Sequence, residues 1–246
     1  MLTVWLFFLL SSFATLWWPV SSDTSGVSAT FYFVRHGESE ANNAGILQGQ
    51  CDFPLTDLGT SQARWVGSAL AQRNVKWTRV FTSDLTRARE TCRLLLAESG
   101  VTLPISQTHL LRERRFGVRE AMSTALSAEE CSKIIAAKLK INVADVVDSA
   151  ESATELSQRQ HLFLHKVFDE LCLEDSTSSR SILCVTHSAF IKGLLSSNLG
   201  IEMKAISNCS ITKMLISRDA AGNLTFSCLP EEVNDAAHMQ QEEEPK

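Results

Sequence analysis

Two short runs leave little choice of fold: Thr30-Phe31-Tyr32-Phe33-Val34 and Ser181-Ile182-Leu183-Cys184-Val185-Thr186 string apolar, aromatic and β-branched residues together without polar alternation. A strand with no polar side must be covered on both faces. Sheets of that kind are mostly parallel, with helices packed above and below. Between the two runs, Thr56 and Asp57 can cap a helix carrying Leu58, Trp65, Val66, Ala69 and Leu70 at helical spacing and ending near Asn74. A strand fits 79–82. Asp84 can open a helix through Leu96 that Gly100 stops, and 101–105 reads as an edge strand interrupted by Pro104.

Residues 107–123 lose all period and become rich in charge, the pattern of a functional loop. Helical patterns resume over 127–140 and 154–173, and a polar linker spans 174–180. After the second buried run comes a helix with Phe190, Leu194, Leu195 and Leu199. Runs at 211–216 and 224–228, joined by Gly222-Asn223, close as a hairpin. The predicted fold is α/β, a three-layer α/β/α sandwich with a mostly parallel central sheet, in one domain over 29–230.

Composition excludes several other classes. The 246 residues carry 44% hydrophobic and 21% charged side chains, with 11 Gly and 5 Pro, which rules out collagen-like and low-complexity chains. Residues 231–246 hold six acids and one base, so the 22 bases and 22 acids before them balance and the net charge of -5 belongs to the C-terminus. That end reads as a solvated acidic tail. No overall basic field exists to recruit nucleic acid, and a bound anion must meet locally gathered arginines. The seven cysteines contain no C-x-x-C pair and are odd in number, against a zinc site, a redox motif or a full disulfide framework.

Residues 1–22 are uncharged and hold the apolar run Val4-Trp5-Leu6-Phe7-Phe8-Leu9-Leu10, like the core of a signal peptide without its positive start. Ser11, Ser12 and Thr15 break the run, so no stable membrane span is expected. The segment reads as a leader or extension, and on a secreted chain Asn208-Cys209-Ser210 and Asn223-Leu224-Thr225 would be glycosylation sequons.

Both buried runs end in histidine. The first delivers Arg35-His36-Gly37 and the second His187, so the two imidazoles should stand at the same rim of the sheet, where ligands of parallel sheets bind. Gly37 is expected to let the backbone approach a bound group. Arg87 and Glu113 follow a strand and a loop. Two arginines, two histidines and one carboxylate suit the handling of a phosphoryl group: guanidinium forks match phosphate oxygens, and a neutral imidazole nitrogen can attack phosphorus in line. A nearby carboxyl can protonate the leaving oxygen and later deprotonate water. Because arginines can supply the positive charge, no metal or other cofactor is required.

These residues carry a resemblance. Phe33-Val34-Arg35-His36-Gly37-Glu38-Ser39 with Asn42, Asp52-Phe53-Pro54-Leu55-Thr56-Asp57-Leu58-Gly59, Ser83-Asp84-Leu85-Thr86-Arg87-Ala88, Leu111-Arg112-Glu113-Arg114, Val185-Thr186-His187 and Asn208-Cys209-Ser210 resemble the histidine phosphatase (phosphoglycerate mutase-like) superfamily, in family order over about residues 30 to 217. Leu111 to Val118 and the Gln48-Gly49-Gln50 loop are most similar to TIGAR-type fructose-2,6-bisphosphatases. The resemblance implies that His36 is the phosphorylated nucleophile, that Arg35, Arg87 and His187 clamp the phosphoryl oxygens, and that Glu113 is the proton donor. It also implies that Asn42, Gln48, Gly49 and the backbone of Ser188 line the phosphate pocket, with Asn208 near it. The expected partner is a small phosphorylated sugar. A glycan on Asn208 would obstruct such a pocket, which favours a cytoplasmic location over a secretory or membrane-targeted one.

Departures bear on the substrate. Glu120-Ala121 stands where relatives show Glu-Gly, Ser188 where they show glycine, and Ala150 begins a stretch whose Glu151 they precede with glycine. The same residues could serve a phosphoglycerate mutase, but mutase relatives carry tryptophan where this chain has Ala41. An inactive scaffold of the same fold is the third reading. It would be signalled by loss of His36, Arg87, Glu113 or His187, and all four are present.

Overall fold

The computed structural model describes residues 26–173 and 180–240, so the leader expected at 1–22, nearly all of the 174–180 linker and the last six residues lie outside them. The elements are β1 (Val27–Arg35), α1 (Glu40–Asn43), β2 (Ile46–Leu47), α2 (Asp57–Gln72), β3 (Arg79–Ser83), α3 (Thr86–Ser99), β4 (Ile105–Thr108), β5 (Met122–Ser123), α4 (Ala128–Leu139), α5 (Ala153–Cys172), β6 (Ser181–Thr186), α6 (Ser188–Leu199), β7 (Ile211–Arg218) and β8 (Leu224–Ser227). Among the described residues one six-stranded sheet runs in the order β4-β3-β6-β1-β7-β8, and β2 pairs with β5 apart from it. β4, β3, β6 and β1 are parallel, while β7 and β8 return antiparallel.

Strand pleating divides β1 between two cores, because successive side chains leave a strand on opposite faces. Phe31 and Phe33 pack with Phe163, Phe168 and Leu164 of α5 and Phe190 and Leu194 of α6. Tyr32 and Val34 pack with Val66 and Leu70 of α2 and Leu95 of α3. Each buried phenylalanine contributes about 1.5–3 kcal/mol. The expected three layers result, with the mostly parallel sheet in the middle. Among the described residues no helix is long and apolar enough to cross a membrane. All seven cysteines are free thiols.

Several boundaries differ from the sequence reading, each for a local reason. Thr56 caps α2 as expected, its side chain accepting from the Gly59 N–H. Asp84 does not open α3. The helix begins after Leu85 without a side-chain cap, and Asp84 instead receives two 2.7 Å hydrogen bonds from Arg112. Gly100 ends α3 in the left-handed region, at φ 68°. The edge strand lies at Ile105–Thr108 rather than 101–105, since Pro104 has no N–H for a ladder and Ile105 is the first residue in register with Val80.

The acidic C-terminus is also placed differently over its first part. Asp235 bridges to Ile211 through both backbone bonds and pairs with Arg73, Glu232 pairs with Lys213, and His238 is buried with Nε2 2.9 Å from the Cys209 carbonyl. Residues 230–240 therefore lie along β7 and α2, where fixed basic partners meet acids that the charge count assigned to solvent.

Candidate active site

β1 and β6 are adjacent and in register, Arg35 opposite Thr186, so both chains leave the sheet side by side. The His36 N–H still donates to the Thr186 carbonyl at 3.0 Å, which places the His36 and His187 rings 5.1 Å apart between centroids. His36 Nδ1 lies 2.7 Å from the Gly37 carbonyl. A carbonyl only accepts, so Nδ1 carries the proton and Nε2 keeps its lone pair. Burial, then the charges of Arg87 and Arg35, hold the His36 pKa well below its ordinary value, and the imidazole is neutral. His187 is held low by burial first and then by Arg87. Its Nε2 meets the Ser83 hydroxyl at 2.9 Å, and its buried Nδ1 has no partner.

Gly37 serves a different purpose from the one expected. A Cβ there would stand 2.4 Å from the Gly59 carbonyl, and one on Gly59 would stand 1.9 Å from the Glu38 carbonyl. The two motif glycines let the start of α2 press against the segment after the nucleophile. Thr91 completes that junction: its Oγ1 accepts from the Gly37 N–H at 3.0 Å and donates to the Arg87 carbonyl at 2.7 Å.

Arg87 is fully buried. Its Nη1 donates to the Cys51 carbonyl and its Nη2 to the Gly49 carbonyl, both at 2.8 Å, so the guanidinium holds the 48–51 loop. Burial lowers its pKa to about 10, still charged at neutral pH. Glu90, its sequence neighbour on α3, pairs with Arg93 instead. Arg35 donates through Nη1 to the Ile206 carbonyl at 2.5 Å. The Nε atoms of both arginines are buried without partners.

Glu113 is nearly buried, and its carboxyl group is held by backbone. Oε1 accepts from the Arg114 N–H at 2.8 Å and the Ala189 N–H at 3.0 Å, and Oε2 lies 3.2 Å from the same Ala189 nitrogen. The first turn of α6 thus meets the Glu113 carboxyl group beside His187, its N-cap residue.

A cavity of about 220 Å³ brings these groups together. Of the candidate residues, Arg35, His36, Asn42, Gln48, Gly49, Arg87, Glu113 and Ser188 line it. His187 and Asn208 do not. The His187 ring is tilted 58° to that of His36 beside it, and Asn208 donates from Nδ2 to the His36 carbonyl at 2.9 Å, fixing the backbone at that residue. Three of its lining residues carry orphaned buried atoms, Arg35 Nε, Arg87 Nε and Gln48 Oε1, and His187 Nδ1 is a fourth outside the lining. Buried polar atoms are ordinarily paired, so a cluster with N–H donors from two guanidinium groups marks an anion site.

Several contributors escape sequence reasoning. Phe116, Thr124, Ala189 and Lys192 also line the cavity. Arg159 lies outside it and supports it: Nη1 donates to the carbonyls of Leu110 and Arg112, and Nη2 to the Glu113 carbonyl, while the guanidinium pairs with Glu151 at 2.8 Å. That pair anchors the loop carrying Glu113. A signal did exist, because Arg159 and Gln160 fall three and four residues after Leu156 on the buried stripe of α5, where the period calls for apolar side chains.

Comparison with known proteins places the chain. The family Histidine phosphatase superfamily (branch 1) matches residues 31–227. A probable phosphoglycerate mutase GpmB from Yersinia pestis (strain Pestoides F) is 31% identical over 217 residues, covering 85% of this chain and 94% of that protein. A phosphoglycerate mutase from Bacillus anthracis str. Sterne superimposes with a TM-score of 0.66 at 24% identity, over 87% of this chain and 96% of that one. A mycobacterial glucosyl-3-phosphoglycerate phosphatase, solved with VO3, gives 0.63 at 20% identity, over 81% and 97%.

Proposed function

The chain belongs to the histidine phosphatase superfamily, and from that premise we propose that it is a metal-independent phosphomonoesterase that hydrolyses a sugar phosphate through a phosphohistidine on His36, with fructose 2,6-bisphosphate as the leading substrate. The observation that carries the reading is the neutral His36, Nδ1–H tied to the Gly37 carbonyl, beside the unpartnered guanidinium Nε–H donors of Arg35 and Arg87.

In the first step the Nε2 lone pair of His36 attacks phosphorus, the bond from phosphorus to the ester oxygen breaks, and the Glu113 carboxyl gives its proton to the departing alkoxide. The Nδ1–H bond to Gly37 supports the positive ring that forms. Arg35 and Arg87 meet the charge on the equatorial oxygens, and His187 adds a donor if Ser83 donates to its Nε2 and leaves the proton on Nδ1. In the second step Glu113, now a carboxylate, takes a proton from water as its oxygen attacks phosphorus and the bond from nitrogen to phosphorus breaks. Inorganic phosphate leaves and His36 regains its lone pair.

The resemblance of Leu111 to Val118 and of the 48–50 loop to TIGAR-type enzymes supports the choice of fructose 2,6-bisphosphate, product fructose 6-phosphate, and a role in lowering glycolytic flux. A second reading, phosphoglycerate mutase chemistry, is favoured by the 31% identical relative of that name. It requires the phosphohistidine to be kept from water and returned to the bound intermediate.

Phosphate release from fructose 2,6-bisphosphate by purified residues 24–246 in excess EDTA separates the readings. Sustained release supports the phosphatase. No release, together with interconversion of 2- and 3-phosphoglycerate, supports the mutase, and folded protein inert in both assays and never labelled on His36 supports a scaffold.

A further inference from the structure

One turn, residues 206–210, holds the end of β1 where its side chains enter the cavity. The Cys209 N–H donates to the Arg35 carbonyl at 3.0 Å, and the Ser210 carbonyl accepts from the Arg35 N–H at 3.3 Å. Arg35 Nη1 donates to the Ile206 carbonyl at 2.5 Å, and Asn208 Nδ2 to the His36 carbonyl at 2.9 Å. The nucleophile and the guanidinium next to it therefore lean on the same five residues.

That turn does not close on itself. Cys209 is wholly buried at φ 52°, a left-handed conformation that is unfavourable for a residue with a side chain. The Ser210 N–H and hydroxyl both donate to the Ser207 carbonyl, at 3.2 and 2.8 Å, but the Cys209 carbonyl and the Ser207 N–H take their partners from the far end of the chain. His238, itself buried, meets the Cys209 carbonyl with Nε2 at 2.9 Å. A carbonyl only accepts, so Nε2 carries the proton. Asn234 Oδ1 accepts from the Ser207 N–H at 2.7 Å.

Both residues are costly choices for merely fastening the segment. His238 Nδ1 is buried without a partner, a loss that an apolar side chain would avoid. Asn234 stands at φ 55°, where glycine would fit more readily but would bring no oxygen. The segment is fastened by other means: Asp235 exchanges both backbone bonds with Ile211 and pairs with Arg73, and Met239 packs against the core that holds Val34 and Leu70. What His238 and Asn234 add is a grip on the turn.

We propose that His238 is a positioning residue for phosphoryl transfer, with Asn234 as its lesser partner: by holding the Cys209 carbonyl and the Ser207 N–H they fix the 206–210 turn, and through it the His36 backbone and the Arg35 guanidinium. Neither residue lines the cavity. A small shift of the turn leaves positive charge near the phosphate but spoils the line of attack from His36, so kcat should fall while KM holds. The assignment rests on the phosphomonoesterase reading and extends the parts of the chain that serve it to residues 234–238.

Steady-state hydrolysis of p-nitrophenyl phosphate by the full chain tests it. His238→Leu, which fills the space without a donor, should lower kcat by about 10- to 100-fold with KM within about threefold of the parent. His238→Gln, whose Nε2 can reach the same carbonyl, should bring kcat back to within about threefold. Asn234→Gly, which suits the left-handed backbone and removes only the acceptor, should lower kcat by about three- to tenfold. Glu232→Gln breaks the segment's pair with Lys213 and should leave kcat unchanged. Parent-like kcat in folded His238→Leu overturns the assignment, and so does a loss shared equally by His238→Gln or by Glu232→Gln, which would mark general loosening. Should His238→Leu not fold, Asn234→Gly decides alone, and a parent-like kcat there overturns it. Calorimetric titration with orthovanadate, which can meet His36 without turnover, separates the two readings. If the parent binds vanadate but hydrolyses nothing, the phosphatase reading fails, yet weaker binding by His238→Leu than by His238→Gln still supports positioning and equal binding overturns it; a parent that neither binds nor hydrolyses overturns both.

Discussion

The middle of β1 and its carboxyl end obey opposite rules within a few residues. From Phe31 to Val34 the side chains are apolar, buried, and matched by Phe163, Phe168, Phe190 and Val66 on the two faces. At the half-buried Arg35 and the buried His36 the chain becomes polar, and nearby atoms lack partners. Tight packing with every group satisfied makes a stable sheet. Unmet donors gathered at one rim make a place where an anion is more welcome than water, and the stability of the interior is what holds them there.

The largest expected effect breaks the rim alone. His36→Ala should lower phosphate release by about 10⁴-fold or more while the thermal midpoint changes little; a merely partial loss would remove His36 from the nucleophile's role. Glu113→Gln should slow fructose 2,6-bisphosphate by about 10²–10⁴-fold but p-nitrophenyl phosphate far less, because an aryloxide leaves without a proton. Equal slowing of both would take the acid role from Glu113.

Breaking the interior should do the reverse. Phe33→Ala should cost about 3–5 kcal/mol in denaturant unfolding, with turnover per folded molecule nearly retained. If turnover fell as far as with His36→Ala, interior and rim would not be separable.

Acid should sharpen the contrast through the two histidines. Both are held neutral in the fold by burial and by Arg87, whereas the unfolded chain protonates them near 6.5. As pH falls below that value the unfolded state takes up protons that the native state refuses, so stability drops by up to about 1.4 kcal/mol per pH unit for each histidine. The loss ends only below the lowered native values and is absent above neutrality. A thermal midpoint that stays flat from pH 8 to 5 would contradict it.

The smallest effect lies beside the cavity. Ala121 occupies the left-handed region at φ 59°, a conformation that favours glycine. Ala121→Gly should raise stability by about 0.5–1 kcal/mol, read as a small rise in the thermal midpoint.

Much of this was legible in the amino-acid order. Unbroken apolar runs ending in Arg35-His36 and Thr186-His187 announce buried parallel strands and a polar rim, because strand burial is written locally in side-chain character. Capping at Thr56 and termination at Gly100 are local as well. Eight of the ten expected site residues line the cavity for the same reason: each follows a strand end or belongs to a motif whose spacing is short. What sequence order could not convey depends on contacts between distant segments. Asp84 leaves its helix to grip Arg112, Gly37 meets Gly59, and Asn208 turns to the His36 carbonyl. Arg159 crosses from α5 to hold the Glu113 loop. Side-chain pattern constrains which face of an element is buried, but a polar residue acquires its task from whichever unsatisfied group packing brings within hydrogen-bond reach.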